Sequence, residues 1–232
     1  MNEILEKSQY LRDTLYAADQ YFTEIDHLVD ALRLNVPEKC VDDSCPCGVS
    51  YQGAVSGNSE NGWLFPFHTL YFEVAGPNKK LPPAGIGIQI VAYGDPLDSF
   101  YGIPVVNVSV CSWVMDPKSE SNCNWYADSI SSSIYEKFGL AANGRVQWGE
   151  QSGGHIDLAF SVPLLCLQGA SSLDSNIYRP ISRLLACIFK KFDISTLEAN
   201  VFSAAIPLDI VESNGDIRYQ ALFDEPAAPA NE

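Results

Sequence analysis

Three stretches decide the fold: WLFPFHTLYFEV at residues 63–74, IGIQI at 86–90 and VNVSVC at 106–111. In the first, Phe65, Phe67, Thr69 and Tyr71 alternate with Leu64, His68, Leu70, Phe72 and Val74. In the others, Ile86, Ile88 and Ile90, then Val106, Val108 and Val110, stand at every second position, facing away from Asn107, Ser109 and Cys111. A period of two is that of a strand, whose side chains point to opposite faces in turn. Gly76-Pro77-Asn78-Lys79-Lys80 and Gly94-Asp95-Pro96 supply turns, so the three strands are expected to pair in sequence as an antiparallel meander.

Outward from this meander, strands are expected at Arg145–Gly149 and His155–Leu164, joined around Ser152-Gly153-Gly154. Strands near 201–211 and 217–223 flank Asn214-Gly215, a strong hairpin signal. A helix fits 124–138, where Ala127, Ile130, Ile134 and Phe138 form a stripe and Gly139 sits at the cap. Another is expected to start at Pro180 and run through Ile181, Leu184, Leu185, Ile188, Phe189 and Phe192. The longest periodic signal is Ile4, Leu11, Leu15, Ala18, Phe22, Ile25, Val29 and Leu32, one amphipathic helix ending before Pro37. The expected class is α+β: a mainly antiparallel sheet of about seven strands, meander plus hairpins, packed with two to three helices, one of them long and N-terminal.

The expected organisation is the helix at 1–35, a Cys- and Gly-containing connector loop at 36–62, an α+β domain at 63–223 and a disordered tail at 224–232. The helix is long enough either to cross the whole domain or to protrude and pair as a homodimer. Ser8 and Ala18 occupy seam positions of a coiled coil, which favours a helix lying on its own domain.

The 232 residues carry 29 acids against 14 Lys and Arg, a net charge of −15. Such a surface repels nucleic acid and anionic membranes, so neither is an expected partner. No apolar run reaches the roughly 20 residues of a membrane span, and the charged start Met1-Asn2-Glu3 lacks a secretory leader pattern. The seven cysteines are an odd number, and Cys111, Cys166 and Cys187 lie in apolar patterns, so a reducing cytoplasm is expected.

The densest ligand-like cluster is Cys40, Cys45 and Cys47, with His27, His68 or Cys123 available as a fourth donor for zinc. A proline within Cys45-Pro46-Cys47 and the lack of paired knuckles favour a loop without metal, so no cofactor is expected and zinc is the alternative. Cys123, at the start of the helix expected at 124–138, is a candidate nucleophile because a helix N-terminus favours the thiolate. Glu150, His155 and Asp157 flank a glycine turn, where an acid and an imidazole can meet for general acid–base catalysis. Neither group completes a catalytic constellation, and the reading leans against an enzyme.

The order helix, three strands, helix, strand over residues 3–164 resembles the core of the PD-(D/E)xK nuclease superfamily. The resemblance implies acids on adjacent strands that hold Mg²⁺ and a lysine that orients water. Here the second and third strands of the meander offer Gln89 and Asn107, and no Lys or Arg lies between Lys80 and Lys118, so the nuclease chemistry does not carry over.

Charge is the remaining signal. Residues 1–60 hold eleven acids and four Lys or Arg, a balance of −7 in about a quarter of the chain. Asp13, Asp19, Glu24, Asp26, Asp30, Asp42 and Asp43 are expected to form a negative face that steers a basic protein partner. Arg179, Arg183, Lys190 and Lys191 concentrate positive charge on the last helix, as a counter-face or a small anion site. The best functional expectation is an acidic, non-enzymatic binding protein, an inhibitor or immunity-type protein. The alternatives are a small-substrate enzyme using Cys123 or the Glu150/His155 pair, and an assembly subunit docking through its first helix.

Overall fold

A computed structural model describes residues 2–41, 48–56, 67–76, 81–92, 103–115, 135–190, 193–213 and 216–222. It is an α+β structure with a seven-stranded antiparallel sheet. Four strands run as a meander: β1 (Val49–Ser56), β2 (Phe67–Val74), β3 (Ala84–Val91) and β4 (Val105–Cys111). A second meander, β5 (Lys137–Ala141), β6 (Val146–Glu150) and β7 (Ile156–Pro163), joins the first by pairing β7 with β4, giving the order β1-β2-β3-β4-β7-β6-β5. A separate hairpin is formed by β8 (Leu208–Ser213) and β9 (Asp216–Ala221).

The helices are α1 (Asn2–Lys39), the single turn α2 (Ala170–Leu173) and α3 (Arg179–Lys190). Alternation puts Leu70, Phe72, Ile86, Ile88, Val106, Val108, Leu158 and Phe160 on one face of the sheet. They form a single core with Ile25, Leu32 and Val36 of α1 and Ile181, Leu184 and Leu185 of α3. Each such side chain removed from water contributes about 1.5–3 kcal/mol, which is why both helices lie on this face.

The opposite face is covered as well, and all eight residues of β3 are buried. At one end the hairpin packs Leu208, Tyr219 and Ala221 onto Val91 and Val105. At the other, Tyr71 and Cys111 pack with Met115. Thr69, Gln89, Asn107 and Ser161 follow one another in register across four strands of this face, all buried. Ser161 Oγ donates to Asn107 Oδ1 at 2.7 Å and Asn107 Nδ2 donates to Gln89 Oε1 at 3.2 Å, so this row satisfies part of its own polarity.

The elements differ from the sequence expectation in five places. First, α1 does not end before Pro37 but continues to Lys39. Val36 and Cys40 are both fully buried and Cys40 N–H donates to Val36 O at 3.1 Å, so core packing holds the last turn across the proline. Second, the expected connector at 36–62 contains β1, a mostly exposed strand bulged between Tyr51 and Gly53. An edge strand needs no apolar period, because the backbone of its one neighbour supplies the pairing. Third, the expected helix at 124–138 is replaced at its end by β5; its residues 124–134 lie outside the described residues. Gly139 is no helix cap: in β5 it faces Trp148, where a Cβ would stand 2.9 Å from the indole nitrogen.

Fourth, Pro180 does not open a helix. The chain is already helical from Ala170 and passes through a π turn, Asp174–Tyr178, in which Arg179 N–H bonds back to Asp174 O. The widened turn disrupts the ordinary ladder where proline has no N–H to give. Fifth, the strand expected near 201 starts at Leu208; Val201 and Phe202 lie in a 3₁₀ turn and are buried, with the Phe202 ring 5.5 Å from that of Phe160. Among the described residues four strands follow α1 before any further helix, which departs from the nuclease-like order of three. The tail at 224–232 lies outside the described residues.

The β5–β6 turn passes through three left-handed residues, Ala142, Asn143 and Gly144, at φ of 50°, 56° and 81°. Leu208 N–H donates to Gly144 O at 2.8 Å, and a Cβ on Gly144 would come within 2.7 Å of Leu208 O. This contact fastens the hairpin to the sheet. Gly144→Ala is expected to cost about 1–3 kcal/mol, from left-handed strain and the clash together. A urea midpoint unchanged from wild type would show that the hairpin moves away freely.

Candidate functional site

With 38 residues, α1 is about 57 Å long at 1.5 Å per residue, longer than the roughly 30 Å across a seven-stranded sheet. Its packing against the domain runs from Tyr21 to Val36. Tyr21 donates its hydroxyl to Ala92 O at 2.8 Å, and Ile25, Leu32 and Val36 enter the core. Residues 7–17 are all exposed, among them Tyr10 at 75%, Leu11 at 58%, Leu15 at 50% and Tyr16 at 63%. The apolar stripe that enters the core at its carboxyl end thus continues uncovered toward the amino end.

The carboxylates of α1 lie along one flank of this stripe and on the face behind it. Asp13, Asp19, Glu24, Asp26 and Asp30 are all exposed, and no Lys or Arg occurs from residue 13 to residue 32. At 100° per residue, Asp19, Asp26 and Asp30 run along one flank of the stripe, while Asp13 and Glu24 lie on the helix face behind it. They form two rows and not the single face expected. Asp30 pairs with Arg33 at 2.9 Å, and Asp13 accepts from Gln9 Nε2 at 2.9 Å. Asp26 lies close enough to His68 to oppose the burial that lowers that imidazole's pKa, and His68 Nδ1 shares a 2.9 Å hydrogen bond with Ser56 Oγ. Asp42 and Asp43 lie outside the described residues.

The chemical candidates are not brought together. Glu150 is engaged by Lys137 Nζ at 3.0 Å on the neighbouring strand. Asp157 is buried on the sheet, where it accepts from Trp113 Nε1 at 2.8 Å, Tyr135 OH at 2.7 Å and Gln151 Nε2 at 2.9 Å. His155 is exposed on the turn between β6 and β7, and its carbonyl accepts Gln151 N–H at 2.8 Å. Each acid is therefore held by other donors, and His155 stands at the mouth of a cavity whose other wall includes Cys187. Burial and the charge of Asp193 push the Cys187 thiol up to about 11, so it stays protonated at neutral pH. Cys123 lies outside the described residues.

Cys40 is fully buried at the end of α1, and burial followed by the charge of Asp174 pushes its thiol far above the ordinary range. A buried, protonated thiol is a poor metal ligand. Cys45 and Cys47 lie outside the described residues, and among the described residues no three His, Cys, Asp or Glu side chains are grouped to hold a metal. His27 stays exposed on α1. Arg179, Arg183 and Lys190 are exposed on α3; Arg183 and Lys190 share a depression of about 280 Å³ with Glu198 and Thr196, and Lys191 lies outside the described residues. Among the described residues no helix is long and apolar enough to cross a membrane.

Two features carry no sequence motif. The Asp157 clamp unites an indole, a phenol and an amide from positions 113, 135 and 151, and only the strand register brings them together. The exposure of Leu11 and Leu15 has no signal either, since they belong to the same helical stripe as the buried residues Ile25 and Leu32. Comparison with family models, curated proteins and solved structures finds no match to the chain.

Proposed function

We propose that this chain is an acidic, non-enzymatic binding protein, of the inhibitor or immunity type, that engages a basic protein partner through α1. The observation that carries the reading is the exposed run of residues 7–17 on α1: Tyr10, Leu11, Leu15 and Tyr16 are half or more exposed beside carboxylates, in a helix with no Lys or Arg from residue 13 to residue 32. Aromatic and leucine side chains supply the apolar centre of an interface, and carboxylates around it set register and hasten encounter with a cationic partner. A second copy of the chain would set carboxylate against carboxylate, which opposes self-pairing through this helix. The separate engagement of Glu150, Asp157 and His155 supports binding over catalysis.

The test is capture of a partner from the native host on the intact protein at low and at moderate salt. One stoichiometric basic protein is expected, held more tightly at low salt. Leu11→Asp with Leu15→Asp should weaken the complex at least about tenfold at both salts, and Asp19→Asn with Asp26→Asn should mainly lower the association rate and its salt dependence. Recovery of no stoichiometric partner at either salt overturns the reading, as does a complex indifferent to both double variants.

A further inference from the structure

We propose that the cavity between the carboxyl half of α3 and the adjoining ends of β3, β4 and β7 binds a small, uncharged, mainly apolar molecule that presents a carbonyl-type acceptor. The inference is independent of the reading of α1. The cavity measures about 460 Å³, within the range of small-molecule sites. Its walls are Leu81 and Pro82 before β3, Ile156 at the start of β7, and Ile188, Phe189 and Ile194 at the end of α3 and beyond.

Three polar side chains stand on this apolar lining: Ser112, His155 and Cys187. Ser112 is held in place from two sides. Its backbone N–H donates to Ile156 O at 2.9 Å, and its Oγ accepts Ile156 N–H at 2.7 Å. One Oγ lone pair is thereby used, and the hydroxyl hydrogen remains to be donated to an occupant. The His155 imidazole offers an N–H at the mouth. Two donors on an apolar wall suit a ligand with one acceptor group and a hydrocarbon body.

Charge narrows the class further. No Lys, Arg, Asp or Glu is among the described lining residues, so an ion finds no direct counter-charge among them, and the charge of Asp193 acting on Cys187 joins the net charge of −15 in opposing anions. The Cys187 thiol, protonated at neutral pH, is a soft wall and not a nucleophile. Access is left open by Gly153 and Gly154, at φ of 102° and 79°; a Cβ on Gly154 would meet nothing within 4 Å.

The test is a titration of the intact protein with prodan, an uncharged naphthyl ketone whose emission moves to the blue on leaving water. Saturable binding of one probe per chain is expected, with a blue shift. Ser112→Ala and His155→Ala should each weaken it about three- to tenfold, the effect of one hydrogen bond. Ile188→Trp should abolish it by filling the space, while Leu11→Asp with Leu15→Asp should leave it unchanged. 2-Heptanone should displace the probe better than heptanoate. Circular dichroism establishes that each variant is folded, and His155, being exposed, is the replacement safest for the fold. No saturable binding, loss of binding in the Leu11/Leu15 variant, indifference to both Ser112→Ala and His155→Ala, or stronger displacement by heptanoate overturns the proposal.

Discussion

Asp157→Ala is expected to destabilise the protein by about 3–5 kcal/mol, the largest effect of any single polar substitution considered. Asp157 is 5% exposed and accepts hydrogen bonds from Trp113 Nε1, Tyr135 OH and Gln151 Nε2 at 2.7–2.9 Å. Alanine leaves all three donors without their acceptor, and each buried donor so orphaned costs about 1–3 kcal/mol. The three are partly exposed, and water reaching them keeps the total below the sum. The carboxylate also ties Trp113, just past β4, to Tyr135, just before β5. Gly149 belongs to the same arrangement, because the Tyr135 ring lies where its Cβ would be. Asp157→Asn keeps one acceptor oxygen and should cost about half as much. Urea unfolding checks both variants; a cost below about 1 kcal/mol for Asp157→Ala would show that the clamp does not hold the sheet.

The second large effect is a steep loss of stability in mild alkali. Burial, followed by the charges of Asp174 and Asp157 respectively, raises the thiol pKa values of Cys40 and Cys111 far above the ordinary value. Burial likewise raises the phenols of Tyr135, Tyr178 and Tyr219. The direction of the effect follows from proton binding. In the unfolded chain the thiols release protons near pH 8.5, whereas the folded chain retains them, so the folded state binds more protons and stability falls as pH rises. The contribution is complete below about pH 8.5 and is lost progressively above it, with the phenols adding to the loss above about pH 10.

Each thiol ionised only in the unfolded chain contributes a slope that approaches about 1.4 kcal/mol per pH unit, so the two together give a loss of about 2.4 kcal/mol between pH 9 and pH 10. Urea midpoints at pH 7.5, 9 and 10, under reducing conditions, measure it. Cys40→Ala with Cys111→Ala should flatten the slope whatever it does to stability at pH 7.5. A midpoint that stays level to pH 10, or a slope the double variant leaves untouched, rules this origin out.

How far the sequence could be read depended on whether an element's signal was local. β2, β3 and β4 were legible because alternation is written into consecutive residues such as Ile86, Ile88 and Ile90. β1 was not, because Tyr51, Gln52 and Gly53 form an exposed edge that depends on the backbone of β2. β5 was misread as a helix end for a similar reason: Phe138 fits a helical stripe, and only the Trp148 indole opposite Gly139 explains why glycine is there. Pro37 and Pro180 were read as boundaries, but burial of Val36 and Cys40 outweighs the first and the π turn accommodates the second.

The candidate sites divide along the same line. The carboxylates of residues 13–30 and the lack of Lys or Arg from residue 13 to residue 32 are written in the sequence, since charge needs no partner to be counted. Their arrangement in two rows follows from the helical period. That Leu11 and Leu15 stay uncovered while Ile25 and Leu32 enter the core is decided by tertiary structure, because α1 outruns the sheet beneath it. The same holds for Asp157 with Trp113 and Tyr135, and for His155 and Ser112 on one cavity: residues this far apart meet only when β4 pairs with β7. The sequence by itself therefore determined strands, helices and charge, which arise from neighbours along the chain. The tertiary structure decided which surfaces remain open and which polar groups converge, because burial is a property of what packs on top.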